Sequence, residues 1–136
     1  MQLNIYLYFN GNAEEAMNFY RNALGGNIVT ISRYGDAPMP SSDNWKNKVM
    51  HGVLNAAGTT IFFSDSNEGH DVKFGDNFSV SLNFQSEDEI DEAFAAISAG
   101  GKITMPLADQ FWGAKFGMCL DKFGVNWMFN WDKPKP

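Results

Sequence analysis

The strongest constraint on the fold is an internal repeat. Residues 6–30, YLYFNGNAEEAMNFYRNALGGNIVT, lie over residues 81–105, SLNFQSEDEIDEAFAAISAGGKITM, at a constant offset of 75 without a gap. Leu7 falls on Leu82, Phe9 on Phe84, Glu14 on Glu89, Phe19 on Phe94, Gly25-Gly26 on Gly100-Gly101 and Ile28 on Ile103. A second set repeats at an offset of 66, placing Leu54 on Leu120, Gly58 on Gly124 and Phe63 on Phe129. A chain built this way is two copies of one supersecondary unit. The modules are 1–65 and 78–136, joined by the polar stretch SNEGHDVKFGDN, 66–77, within a single domain spanning 1–136.

Each copy reads in the same order. NIYLYF and VSLNF alternate and are rich in strand formers. Asn12-Ala13-Glu14-Glu15 and Ser86-Glu87-Asp88-Glu89 place a capping residue and acids where a helix start favours them. Helical apolar positions follow at Ala16, Phe19, Tyr20 and Ala23, and at Ile90, Ala93, Phe94 and Ile97. Gly-Gly then ends both helices. NIVTISRY and KITMPL read as strands, and VMHGVLNAAGTTIFFSD and KFGMCLDKFGVNWMFNW as hairpins. The turns fall at Ala57-Gly58 and at Asp121–Gly124. The fold class is α+β, two βαβββ modules forming curved mixed sheets with helices on the convex side. Two connections, 35–48 and 107–114, lie at matching places before each hairpin, where function is often carried.

Composition narrows the partners. Net charge is −6 and the ten Lys and Arg are scattered. No basic stripe offers itself to nucleic acid or to an anionic membrane surface. One cysteine, Cys119, permits no intrachain disulfide and suits a reducing compartment. No signal peptide and no bilayer-length apolar run is read, so a cytoplasmic protein is expected.

The blocks YLYFNGNAEEAMNFYRNALGG, VMHGVLNAAGTTIFFSD and MPLADQFWGAKFGMCLDKFGVNWMFN resemble the PhnB-like proteins over essentially the whole chain. This branch of the vicinal oxygen chelate superfamily (glyoxalase, bleomycin-resistance and extradiol dioxygenase proteins) is often labelled 3-demethylubiquinone methyltransferase-like. The resemblance implies a small-molecule cleft and a homodimer. In metal-using members, His and Glu ligands come from the first and last strands of the modules. The matching positions are Asn4 to Tyr6 and Phe62 in copy one, and Ser79 to Ser81 and Met128 in copy two. None is His, Glu or Asp, and a slip of a few residues brings in only Asp65 and Asn130. No metal and no cofactor is therefore expected. No glycine-rich strand–loop–helix turn supports a nucleotide-type cofactor or the methyltransferase label.

His51 is a candidate general base or single metal ligand, with the alternative of a structural His bonded to a loop carbonyl. Asp65 is its candidate partner, or simply the residue that ends a strand. His70 reads as solvated, Cys119 as a small buried hydrophobe, and Asp121 as a residue satisfying turn N–H groups. Three of the four Trp and four of the twelve Phe crowd into residues 111–131. Strand alternation splits them: Trp127, Phe129 and Trp131 on one face, and Asn126, Met128 and Asn130 on the other. By analogy with the superfamily the Met128 face looks into the cleft. The expected lining is Tyr6, His51, Phe62, Ser64, Ser81, Met128 and Asn130. Trp112 is either a lid or an interface anchor.

The leading expectation is a metal-free binder of a small organic molecule. One alternative is a lyase, isomerase or dioxygenase-like enzyme with a non-standard metal site on His51 and Asp65. Another is a structural or regulatory homodimer.

Overall fold

The computed structural model describes residues 1–135. Unit 1, Met1–Lys73, carries β1 (Ile5–Phe9), α1 (Ala13–Leu24), β2 (Asn27–Arg33), β3 (Val49–Ala56) and β4 (Thr59–Asp65). Unit 2, from Phe74 onward, carries β5 (Val80–Asn83), α2 (Glu87–Ser98), β6 (Lys102–Asp109), β7 (Ala114–Leu120) and β8 (Asn126–Asp132). The sheets have the orders β1-β4-β3-β2 and β5-β8-β7-β6. In each, the first strand runs parallel to the last and the remaining pairs are antiparallel. The α+β architecture of two βαβββ modules read from the repeat is the one the chain adopts.

Each helix buries one stripe against its own sheet. In α1 the buried residues are Ala13, Ala16, Met17 and Tyr20, the i, i+3, i+4, i+7 spacing of one helical face. The stripe is turned relative to the sequence reading: Met17 is fully buried, whereas Phe19 and Ala23 are half-buried. Gly52 on β3 explains the rotation. A Cβ there would lie 2.6 Å from Met17 Sδ, so the missing side chain is the slot the Met17 thioether fills. In α2 the buried set is Ile90, Ala93, Phe94 and Ile97, as expected. Facing these stripes are Leu7, Phe9, Leu54, Ile61 and Phe63 in unit 1, and Leu82, Trp127 and Phe129 in unit 2, all buried. The two layers of each unit are driven together by this apolar area.

The two helices start differently. Ser86 caps α2 as expected, its Oγ accepting from Glu89 N at 3.2 Å. Asn12 does not cap α1 with its side chain. The role passes to Asp65, 53 residues further on, whose Oδ1 accepts from Gly11 N at 2.8 Å and Ala13 N at 3.0 Å. A buried carboxylate satisfies the free N–H groups more strongly than an exposed amide.

The second connection is shorter than the sequence suggested. β6 runs through Pro106 to Asp109, leaving Gln110–Gly113 as the loop rather than 107–114. Pro106 is tolerated because β6 is an edge strand with a register irregularity between Met105 and Ala108. The first connection, 35–48, opens with a 3-10 turn over Tyr34–Asp36. It is tied down by Trp45 Nε1 donating to Ser66 O at 3.1 Å and Ser42 N donating to Glu68 Oε1 at 3.1 Å.

The β3–β4 hairpin turns on Ala57-Gly58, with φ of 52° and 72°. Both positive values mark a two-residue primed turn, which suits Asn-Gly better than Ala-Gly. An alanine in the left-handed region costs about 1 kcal/mol. Ala57→Asn is therefore expected to stabilise unit 1 by about 0.5–1 kcal/mol, read as a higher urea midpoint at unchanged slope. An unchanged midpoint would show that the turn is not strained.

Candidate functional site

Alternation along the strands decides which side chains unit 1 leaves on the face opposite α1. On β1 these are Tyr6 and Tyr8; on β4, Phe62 and Ser64; on β3, His51. Tyr6 pairs with Phe62 and Tyr8 with Ser64 in the parallel register. Tyr6 and Tyr8 stack with centroids 4.8 Å apart. Phe62 lies 5.7 Å from Tyr6 and 5.4 Å from His51. Across this aromatic floor Tyr6 Oη meets His51 Nδ1 at 2.9 Å. Partial burial, with the neighbouring Tyr8 adding to it, raises the Tyr6 phenol above its ordinary value, so the proton stays on the oxygen at neutral pH.

Next to this cluster, at the carboxyl ends of β1 and β4, an open cavity of about 560 Å³ is lined by Tyr8, Tyr34, Ser64, Ser66, Asn67 and His70, among others. The volume falls within the range of small-molecule sites. Tyr34 is buried and donates through its hydroxyl to Asp65 O at 2.6 Å. The Ser64 hydroxyl lies 2.8 Å from both Met50 O and Asp65 O. Asp71 and Lys73 add one charge of each sign to the rim.

Asp65 stands apart from this chemistry. It is 1 % exposed, and its second oxygen accepts from Val49 N at 2.9 Å. With Gly11 and Ala13 on the other oxygen, its carboxylate is occupied by backbone donors. The His51 Nδ1 partner is Tyr6, not the Asp65 carboxylate proposed for it from the sequence. Tyr8 joins this face because it shares strand parity with Tyr6, whereas Tyr34 reaches it from a 3-10 turn that carries no strand or helix period.

Unit 2 holds the other expected residues on its own sheet. Ser81 pairs with Met128, and Asn130 Nδ2 donates to Asn83 Oδ1 at 3.1 Å. Trp127 and Phe129 are fully buried and Trp131 is half-buried. Trp112 is 52 % exposed and meets Phe116 edge-on at 6.0 Å, while Phe111 is 97 % exposed. The dense aromatic stretch is therefore core at Trp127 and Phe129 and surface at Phe111 and Trp112.

Asp121 behaves as the turn residue it was read to be. Its Oδ1 accepts from Phe123 N at 2.8 Å and Val125 N at 3.0 Å, and its Oδ2 from Trp127 Nε1 at 2.8 Å. Burial, with the charge of Asp121 nearby, pushes the Cys119 thiol up to about 12. The native protein should therefore resist iodoacetamide at pH 8 and react only on unfolding. Stoichiometric native labelling, counted by intact mass, would contradict this.

The positions that the family resemblance matches to metal ligands carry neither an imidazole nor a carboxylate. The matching positions offer a phenol and a hydrocarbon at Tyr6 and Phe62, and a hydroxyl and a thioether at Ser81 and Met128. Among the described residues no group of three or more His, Cys, Asp or Glu is arranged to hold a metal.

Against known proteins, the family described as 3-demethylubiquinone-9 3-methyltransferase matches residues 1–129. Protein YjdN of Escherichia coli (strain K12) is 31 % identical over 146 residues, covering 100 % of this chain and 99 % of that one. The crystal structure of PA1353 from Pseudomonas aeruginosa is 38 % identical with a TM-score of 0.89, over 98 % of this chain and 99 % of the other. A PhnB protein from Bacillus cereus is 34 % identical with a TM-score of 0.82, over 96 % and 99 % of the two chains.

Proposed function

Because the chain belongs to the 3-demethylubiquinone-9 3-methyltransferase-like, PhnB family, we propose that it binds a small organic molecule on the open face of unit 1 without a metal ion or other cofactor. The observation that carries this reading is the joint placement of the Tyr6–His51–Phe62 cluster and the adjoining cavity of about 560 Å³. Aromatic walls with a few convergent polar groups are the usual makeup of an organic-ligand site. Methyl transfer, despite the family's label, gains no support from the sequence, which has no glycine-rich strand–loop–helix turn for a nucleotide-type cofactor. A non-standard metal site on His51 and Asp65 is disfavoured because the Asp65 oxygens are engaged with backbone donors.

A homodimer and a cytoplasmic location belong to the same reading. Among the described residues no helix is long and apolar enough to cross a membrane. The test is the metal content of freshly purified, untagged protein by mass spectrometry, joined to thermal shifts in Zn, Ni, Mn, Fe and Mg. The expected result is no stoichiometric metal and no metal-induced shift. Stoichiometric metal that His51→Ala removes would overturn the reading and revive a lyase or dioxygenase-like enzyme. Light scattering on the same sample checks the dimer.

A further inference from the structure

Resting on the small-molecule reading above, the polarity of the Tyr6–His51 pair narrows the ligand class. Tyr6 Oη and His51 Nδ1 lie 2.9 Å apart, and the imidazole tautomer sets which of them donates: with the ring hydrogen on Nε2, the phenol O–H donates and Nδ1 accepts. A neutral imidazole that accepts at Nδ1 carries its hydrogen on Nε2. Nε2 has no protein partner among the described residues. In that tautomer the pair presents one N–H donor beside the Tyr6–Tyr8 stack and the tilted Phe62 ring.

The surroundings carry little charge. Tyr6, Tyr8, His51, Phe62 and Ser64 are all neutral in this state, and Asp65 is compensated by three backbone N–H groups. On the cavity rim Asp71 offsets Lys73. An anionic ligand would give up hydration here without gaining an unopposed ion pair. A flat ring gains apolar contact with the exposed side of the Tyr6–Tyr8 stack and with Phe62, and an acceptor on its edge gains the Nε2 hydrogen.

From this arrangement we infer that the ligand is an uncharged planar ring compound bearing a hydrogen-bond acceptor, a carbonyl or ring nitrogen, which takes the His51 Nε2 hydrogen while the ring packs against the Tyr6–Tyr8 stack and Phe62. The corresponding positions of unit 2, Ser81, Asn83, Phe116 and Met128, contain neither the tyrosines nor the histidine.

Three probes of one ring size test it at pH 8: 1-isoquinolinone, naphthalene and 1-naphthoate, titrated with amide chemical shifts as the readout. The expected result is shifts confined to unit 1, with isoquinolinone bound about tenfold tighter than either of the others, the worth of one hydrogen bond. His51→Phe should erase the isoquinolinone advantage and leave naphthalene binding in place. Phe62→Ala should weaken all three. In wild-type protein the 15N spectrum of the imidazole should show the hydrogen on Nε2, with that signal moving on addition of isoquinolinone; this readout survives if a variant fails to fold. Naphthoate binding as tightly as isoquinolinone, an advantage that persists in His51→Phe, or an Nδ1-protonated imidazole would each overturn the inference while the binding reading stands. No unit 1 shift with any of the three would overturn both.

Discussion

Replacing Asp65 with alanine is expected to cost on the order of 3–5 kcal/mol. Few substitutions in unit 1 should cost more. One buried carboxylate joins three segments: the loop before α1 through Gly11, the first residue of the helix through Ala13, and the start of β3 through Val49. Alanine leaves those three N–H groups facing a void. Asparagine restores the volume and one acceptor, but its amide nitrogen must oppose a backbone N–H, so it should recover only part of the loss. A domain's whole stability is about 5–15 kcal/mol, so Asp65→Ala should leave unit 1 unfolded or barely folded at 37 °C. Urea unfolding followed by circular dichroism measures this directly. A loss under about 1 kcal/mol, the size of one ordinary cap, would mean that the carboxylate is dispensable.

The second large effect lies at Gly101. A Cβ there would sit 2.3 Å from Leu120 O and 2.9 Å from the Asp121 backbone. No flexible side chain can move aside to relieve these contacts. Gly101→Ala must push the start of β6 away from β7 and should destabilise by about 3 kcal/mol. Gly58→Ala is the internal control. Gly58 has φ of 72° but nothing within 4 Å of the built Cβ, so it should lose only about 1 kcal/mol, the backbone cost alone. If both substitutions cost the same, close approach is not what keeps Gly101. The two glycines at each helix end thus have separate duties. Gly25 and Gly100 take positive φ, while Gly26 and Gly101 sit where a Cβ would strike the neighbouring hairpin.

The repeat makes most of the architecture legible in the sequence, because spacing is preserved where side chains are not. Strand parity separates Trp127 and Phe129 from Met128, and the family resemblance assigns the first set to the core. What parity could not reach was anything set by contacts far apart in sequence. Asn12 has the right chemistry and place for a cap, yet Asp65 takes the position from 53 residues away. The α1 stripe turns toward Met17 because Gly52, on another strand, leaves room for its sulfur. Pro106 was read as close to the end of a strand, but an edge strand with a register shift carries it to Asp109. At the candidate site Tyr6, Phe62 and Ser64 follow from alternation only once the family resemblance says which face holds the cleft, and His51 stands out as one of two histidines. The 2.9 Å pairing of Tyr6 with His51 spans three strands and had no local signature.

The two sheets share one strand order, but their open faces have diverged. Where unit 1 pairs Tyr6 with Phe62 and Tyr8 with Ser64, unit 2 pairs Ser81 with Met128 and Asn83 with Asn130. A backbone that repeats would offer two equivalent berths; side chains that do not repeat leave them inequivalent. The expected stoichiometry is accordingly one ligand per chain, and duplication here has supplied a scaffold without doubling the site.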